Sequence, residues 1–151
     1  MNISIEQGQL QDITRVLSSV PELHQQIDLE EAAANLSSDG QVLLAVAAEG
    51  GDIVGFKAGY DRFSDGSYYS WLGGVIPAYR GHGVAQSLLD AQEQWAVVRG
   101  YTRIFVKTRN KYVGMRILLA RNGYQVCGFA GGQVEDGLGE GRLMHVKALL
   151  S

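Results

Sequence analysis

The residues best suited to chemistry lie in one stretch, Val75-Ile76-Pro77-Ala78-Tyr79-Arg80-Gly81-His82-Gly83-Val84-Ala85. Gly81 and Gly83 allow backbone dihedrals that other residues resist, so successive N–H groups can converge on one point. An apolar periodicity starts directly after them. A helix beginning there would add the positive end of its dipole to those donors, and Arg80 would add a full charge. The chemistry implied is capture of a phosphate-bearing ligand. No Lys-Ser or Lys-Thr follows the glycines and a third glycine is missing, which separates this turn from an ATP P-loop and from the dinucleotide fingerprint.

The elements that must hold such a turn are legible on both sides of it. Tyr68 to Ile76 reads as a strand that finishes at Pro77, after the turn signal Ser64-Asp65-Gly66-Ser67. From Gly83 onward, Val84, Leu88, Ala91, Trp95 and Val98 form a helical stripe with Asp90, Gln92, Glu93 and Gln94 mostly outside it, and Gly100 suits its C-cap. Upstream, Ile3 and Ile5 mark a short strand. Gln11 to Val20 reads as a helix stopped by Pro21, and Asp28 reads as the N-cap of a second helix carrying Leu29, Ala32, Ala33 and Leu36. Gln41 to Ala48 and Ile53 to Asp61 flank Glu49-Gly50-Gly51-Asp52 as a hairpin.

Downstream, Thr102 to Thr108 reads as a strand, and Met115, Leu118 and Leu119 give a helix ending near Asn122-Gly123. Tyr124 to Phe129 and Arg142 to Leu149 read as closing strands. Hairpins first and a crossover helix later predict an α/β (α+β) fold: a central mixed, mostly antiparallel sheet flanked by helices, in one domain over residues 1–151.

RGHGVA resembles the Arg/Gln-x-x-Gly-x-Gly/Ala signature of the GNAT superfamily of N-acetyltransferases, with Arg80, Gly83 and Ala85 at the fixed places. The longer VIPAYRGHGVAQSLLDAQ is similar to the family's Val-x-Pro-x-Tyr-Arg-Gly-x-Gly stretch, and RNGYQVCGF is similar to its helix-Gly-aromatic-strand element. The resemblance covers about residues 40 to 130 well, and the remainder by order of elements. It implies acetyl-CoA as co-substrate, its pyrophosphate held by Arg80, Gly81, His82, Gly83, Val84 and Ala85, with Gln86 and Ser87 in the first helical turn. It also implies that the strand before the turn splays from its neighbour, so that Val75 and Ile76 meet the pantetheine and thioester, with Asn110 on the pantetheine side. His82 occupies a variable place in the signature and reads as an exposed loop residue.

The family commonly supplies a Glu or Asp base and a Tyr acid. Here Trp71 and Leu72 stand where the Glu is frequent, and Leu119 stands where the Tyr is frequent. Tyr112, placed on the helix after the next strand, and Asp61, with Tyr68 and Tyr69 on the central strands, are the substitutes. The backbone N–H of Val75 is the expected oxyanion donor, which needs no special side chain.

With 46% apolar residues in 151, the chain can bury one core without staples, and Cys127, the single cysteine, excludes an internal disulfide and reads as a buried thiol. No metal is expected. The net charge of −3 hides an asymmetry, with 11 acids against 3 bases in residues 1 to 65 and 5 against 10 in residues 66 to 151. A basic second half suits an anionic ligand, while the acidic first half could attract a cationic amine through Asp28, Glu30, Glu31, Asp61 and Asp65. Without a basic run or reader motif, nucleic acid is a poor partner. The N-terminus lacks the pattern of a signal peptide and no stretch is apolar enough to span a bilayer, so a cytoplasmic location is expected.

Gly131, Gly132, Gly137, Gly139 and Gly141, around Glu135 and Asp136, form a connection where a lid or interface could sit. The reading is an N-acetyltransferase acting on the amine of a small molecule or protein, with a homodimer as one assembly open to it. A non-catalytic acyl-CoA sensor or assembly module is the alternative, and a protein that uses the turn for another phosphate is a third.

Overall fold

The computed structural model describes residues 2–20, 28–131 and 138–149. Strands β1 (Ile3–Gln7), β2 (Gln41–Ala47), β3 (Ile53–Tyr60), β4 (Ser67–Val75), β5 (Arg103–Arg109), β6 (Gln125–Ala130) and β7 (Arg142–Ala148) form one sheet in the order β1-β2-β3-β4-β5-β7-β6. The helices are α1 (Leu10–Leu17), α2 (Leu29–Leu36), α3 (Val84–Val98) and α4 (Val113–Arg121). β4 and β5 are parallel neighbours, joined by the crossover through α3, and every other neighbouring pair is antiparallel.

β2 is buried on both faces for most of its length, which is why Val42-Leu43-Leu44-Ala45 reads as an apolar run rather than an alternation. One face packs Val42, Leu44, Phe56 and Ala58 against Ile13 and Val16 of α1. The other packs Leu43, Ala45 and Val54 against Val84 and Leu88 of α3, and continues through Leu89, Ala96, Ile104 and Val106 to Leu119 of α4. Asp28 caps α2 as expected, its Oδ1 accepting from the N–H groups of Glu30 (2.9 Å) and Glu31 (3.3 Å).

Three local expectations are corrected. The first helix ends at Leu17 rather than Val20, because the chain tightens into turns in which Ser19 N–H bonds Val16 O and Val20 N–H bonds Leu17 O. Pro21, the expected stop, lies outside the described residues. Cys127 is exposed rather than buried: it is the extra residue of a β-bulge on the edge strand β6, between Val126, opposite His145, and Gly128, opposite Met144. Tyr112 is the N-cap of α4 rather than a residue within it. In the glycine-rich connection, residues 132–137 lie outside the described residues.

The feature that shapes the site is where β4 leaves β5. The two strands pair from Ser67 opposite Arg103 to Ser70 opposite Val106 and no further, so Trp71 to Val75 keep only β3, and Lys107 to Arg109 keep only β7. The departure coincides with a bulge. Gly59 of β3 lies opposite Ser70 and Ala58 lies opposite Leu72, leaving Trp71 as the unpaired extra residue, which bends β4 away.

The closed end of the sheet is held by side chains. Tyr68 OH donates to the Asp39 carbonyl (3.1 Å), and Tyr101 OH lies between Asp39 Oδ2 (2.5 Å) and Asp61 Oδ2 (3.2 Å), while Arg99 pairs with Asp39 Oδ1. Burial opposes the Asp39 charge, but the hydrogen bonds from Tyr101 and Arg99 outweigh it and hold its pKa below the usual carboxylate range.

The bulge depends on Gly59. A Cβ there would lie 2.5 Å from Tyr68 Cε2 and 2.7 Å from the Tyr69 carbonyl oxygen. Gly59→Ala is therefore expected to cost about 1–3 kcal/mol of stability through overpacking. Urea unfolding checks this, and an unchanged midpoint would contradict the assigned role.

Candidate acyl-CoA site

Because β4 and β5 are parallel, their C-terminal ends open at the same edge, and the parted segment forms a cleft between them. Pro77–Tyr79 makes one short 3-10 turn after β4, and Arg80 then folds back so that its Nε donates to the Val75 carbonyl (3.1 Å). This bond ties the turn to the end of β4. Gly81 (φ +81°) and Gly83 (φ +79°) are both left-handed, and Gly83 is the N-cap of α3. Every N–H from Gly81 to Gln86 lacks a protein acceptor among the described residues, the first bonded one being Ser87 N–H to Gly83 O (3.0 Å). A run of such donors at a helix N-terminus is a phosphate-type anion cradle.

The expected ligand residues do not all stand alike. Gln86 sits in the first turn of α3, but its side chain exchanges hydrogen bonds with Asn122 (2.7 and 2.9 Å) and reaches Asp90 (2.9 Å), joining α3 to the end of α4. Val84 is buried in the core beneath the turn, leaving its N–H as the group available to a ligand. Val75 and Ile76 end the parted segment. Since Ile76 N–H bonds Val54 O (2.9 Å), strand alternation turns the N–H groups of Gly73 and Val75 toward the cleft. Asn110 follows β5 on the opposite lip, its N–H bonding Gly141 O (2.7 Å) and its carbonyl accepting from Arg116 Nη1 (3.1 Å).

The side chains named for proton transfer fall at opposite edges. Tyr112 is half-buried at the open edge, beside Asn110, with Lys111 Nζ 5.6 Å from its ring centroid. Asp61 lies past the closed end of the β3–β4 ladder, about 20 Å along the strand from Val75, where it accepts from Ser64 N–H (3.0 Å) and neighbours Tyr101. The structure does not bring Tyr112 and Asp61 together. Leu119 is fully buried and Trp71 is half-buried in the bulge, edge-to-face with Tyr60 at 5.7 Å.

The acids expected to draw a cationic amine are largely committed to structure. Asp28 caps α2, Asp61 holds a turn, and Asp65 accepts from Ser67 and pairs with Arg103 (3.5 Å).

Two buried titratable groups beside the cleft were not singled out in the sequence. His145 lies opposite Val106, where the strands part; burial lowers its pKa, and Nδ1 has no hydrogen-bond partner among the described residues. Lys57 crosses over Gly73, its Nζ 3.6 Å from where a Cβ would be, and it shares the face under α3 with Gln92. Burial pushes its pKa down to about 8, against the attraction of Glu93. The signal available was a lysine inside the apolar strand IVGFKAGY.

An α/β domain whose parallel strands part beside a glycine turn and a helix N-terminus presents an anion site at the mouth of a cleft. Residues 9–124 match the acetyltransferase (GNAT) family, and the chain belongs to that family. An acetyltransferase of Sodalis glossinidius (strain morsitans) is 37% identical over 68 residues, 44% of this chain and 46% of that protein, so the match spans about half the length of that relative. The fold is shared with the ribosomal-protein-S18-alanine N-acetyltransferase of Escherichia coli (TM-score 0.80, 14% identity, 99% of this chain and 96% of that one). It is also shared with an acetyl-CoA-bound GNAT acetyltransferase of Elizabethkingia anophelis (TM-score 0.77, 16% identity, 98% and 99%).

Lys57 gives a pH-dependent expectation. Its folded pKa of about 8 lies below the ordinary 10.5, so between these values the unfolded state binds more protons and stability rises with pH. Lys57→Met should remove that rise and be more stable at pH 7 by about 1–3 kcal/mol. Urea unfolding between pH 7 and about 9, where few tyrosines of ordinary pKa near 10 are ionised, tests this. Parallel curves for the two proteins would contradict it.

Proposed function

We propose that this protein is a cytoplasmic, acetyl-CoA-dependent N-acetyltransferase that transfers the acetyl group directly to a primary amine in a ternary complex. The observation that carries the reading is the run of N–H groups from Gly81 to Gln86, without an acceptor among the described residues, at the mouth of the parted β4 and β5. The cradle takes the CoA pyrophosphate, and the cleft takes the pantetheine arm against the free edge of β4. The acetyl-CoA-bound neighbour of the same fold supports acetyl-CoA as the ligand.

In the transfer, the nitrogen lone pair attacks the thioester carbonyl carbon. The C–N bond forms, the C–S bond breaks, and the departing thiolate takes up the proton that nitrogen loses. The N–H groups of Gly73 and Val75 face the cleft and supply oxyanion stabilisation, worth about 3 kcal/mol where such a donor is well aimed. Holding amine and thioester together supplies much of the remainder. The buried Leu119 in the place of the family's tyrosine favours a second reading, a non-catalytic acyl-CoA-binding module.

Gly83→Asp tests the site. A Cβ at Gly83 meets nothing within 4 Å, and aspartate tolerates a left-handed N-cap better than most residues, so the fold should survive. Its carboxylate would occupy the cradle and repel the pyrophosphate. Acetyl-CoA affinity by calorimetry should fall about 100-fold or more, equivalent to about 3 kcal/mol, with little change in melting temperature. Unchanged affinity would overturn the assignment, while wild-type binding without thiol release on any amine would favour the second reading.

A further inference from the structure

On the face of the sheet opposite α3 and α4, aromatic rings form a continuous floor beside the point where β4 and β5 part. Trp71 contacts Tyr60 (5.7 Å), Tyr60 contacts Tyr69 (5.6 Å), and Phe63 bridges Tyr69 (6.3 Å) and Phe105 (5.6 Å). The face is assigned by alternation. Tyr68 packs on Trp95 of α3 while Tyr69 points the other way, and Ile104 and Val106 join the α3–α4 core while Phe105 and Lys107 do not. Trp71 and Lys107 are the first residues past the last β4–β5 pair, so this floor borders the cleft itself.

Three cations surround the floor. Arg62 lies over both Tyr69 (5.0 Å) and Phe63 (5.3 Å), Lys107 Nζ is 6.0 Å from the Tyr69 centroid, and Arg142 enters from β7 opposite Arg109. Arg99, Arg103, Arg109, Lys111 and Lys147 each have a carboxylate partner. Arg62, Lys107 and Arg142 form no ion pair among the described residues. Glu31 is the acid whose field reaches Tyr60. Burial and the fields of Arg62 and Arg142 all lower the pKa of Lys107, so Lys107 feels both arginines with no ion pair to offset them among the described residues.

Building on the acetyltransferase reading, we propose that this face binds the acceptor, and that the acceptor is a small primary amine carrying a carboxylate or phosphate. Its anion sits among Arg62, Lys107 and Arg142, its carbon skeleton lies against the exposed ring of Phe63 above the buried Tyr69, and its nitrogen reaches the cleft between Trp71 and Lys107. Like charges that are costly when uncompensated become favourable once an anion lies between them. The same positive field disfavours an ammonium, so it also keeps the attacking nitrogen in its neutral, nucleophilic form on a strand without a carboxylate base. A polyamine would be repelled.

Thiol release from acetyl-CoA with matched amines tests this: β-alanine against propylamine, O-phosphoethanolamine against ethanolamine, and spermidine as a cationic amine. The anionic member of at least one pair should be favoured about tenfold or more in kcat/KM, mainly through KM, and the pair that responds tells carboxylate from phosphate. Arg62→Ala and Lys107→Met should each remove most of that preference and leave acetyl-CoA affinity within about twofold by calorimetry. Preference for the neutral amines or spermidine, variants that keep the anionic preference, or acetyl-CoA binding without turnover of either anionic amine would overturn the inference. Failure of the wild-type protein to bind acetyl-CoA would instead overturn the acetyltransferase reading on which it rests.

Discussion

The site depends on two neighbouring strands that pair at one end and part at the other. Backbone N–H and C=O groups inside a sheet are normally satisfied by the next strand. Past Ser70 and Val106 that satisfaction stops for β4 on its β5 side, and the groups of Gly73 and Val75 face a cleft instead. Such a break is tolerable because the rest of the sheet fixes it. Gly59 allows the bulge at Trp71, and Asp39, held by Arg99 and Tyr101, clamps the closed end. A cleft in a fixed frame holds its donors ready without reorganisation, which is what electrostatic stabilisation of a developing oxyanion requires.

The glycine turn completes the same logic. Arg80 is expected from sequence to add charge to a pyrophosphate, and the structure shows that it also braces the turn through the Val75 carbonyl. The cradle is thus positioned by the end of the strand that lines the cleft. Gln86, placed in the first turn by sequence, is drawn away to Asn122 and helps set the spacing of α3 and α4. The two lips of the cleft are therefore mechanically joined.

Much of this was legible in the chain. The Val84 to Val98 stripe, the Gly81 and Gly83 turn and the Asp28 cap follow from local periodicity and capping chemistry, and each is present. The bulge was not legible, because Trp71 carries no glycine or proline signal and its irregularity arises from pairing with β3. The exposure of Cys127 was missed for the same reason. The cation face was hidden because Arg62, Lys107 and Arg142 are far apart in sequence and meet only through strand order. Reading charge by halves of the chain pointed to an acidic acceptor channel, whereas Asp28, Asp61 and Asp65 turn out to hold caps and turns.

The central claim is that the cradle and the parted strands form one acyl-CoA site. Titrating the isotopically labelled protein with acetyl-CoA and following its backbone amide resonances tests this most directly. The account predicts that the N–H signals of Gly81 to Gln86 move most, together with those of Gly73 and Val75, while those of Asp39 and Asp61 at the closed end stay fixed. Perturbations confined to the closed end, or a silent run from Gly81 to Gln86 under saturating acetyl-CoA, would contradict it.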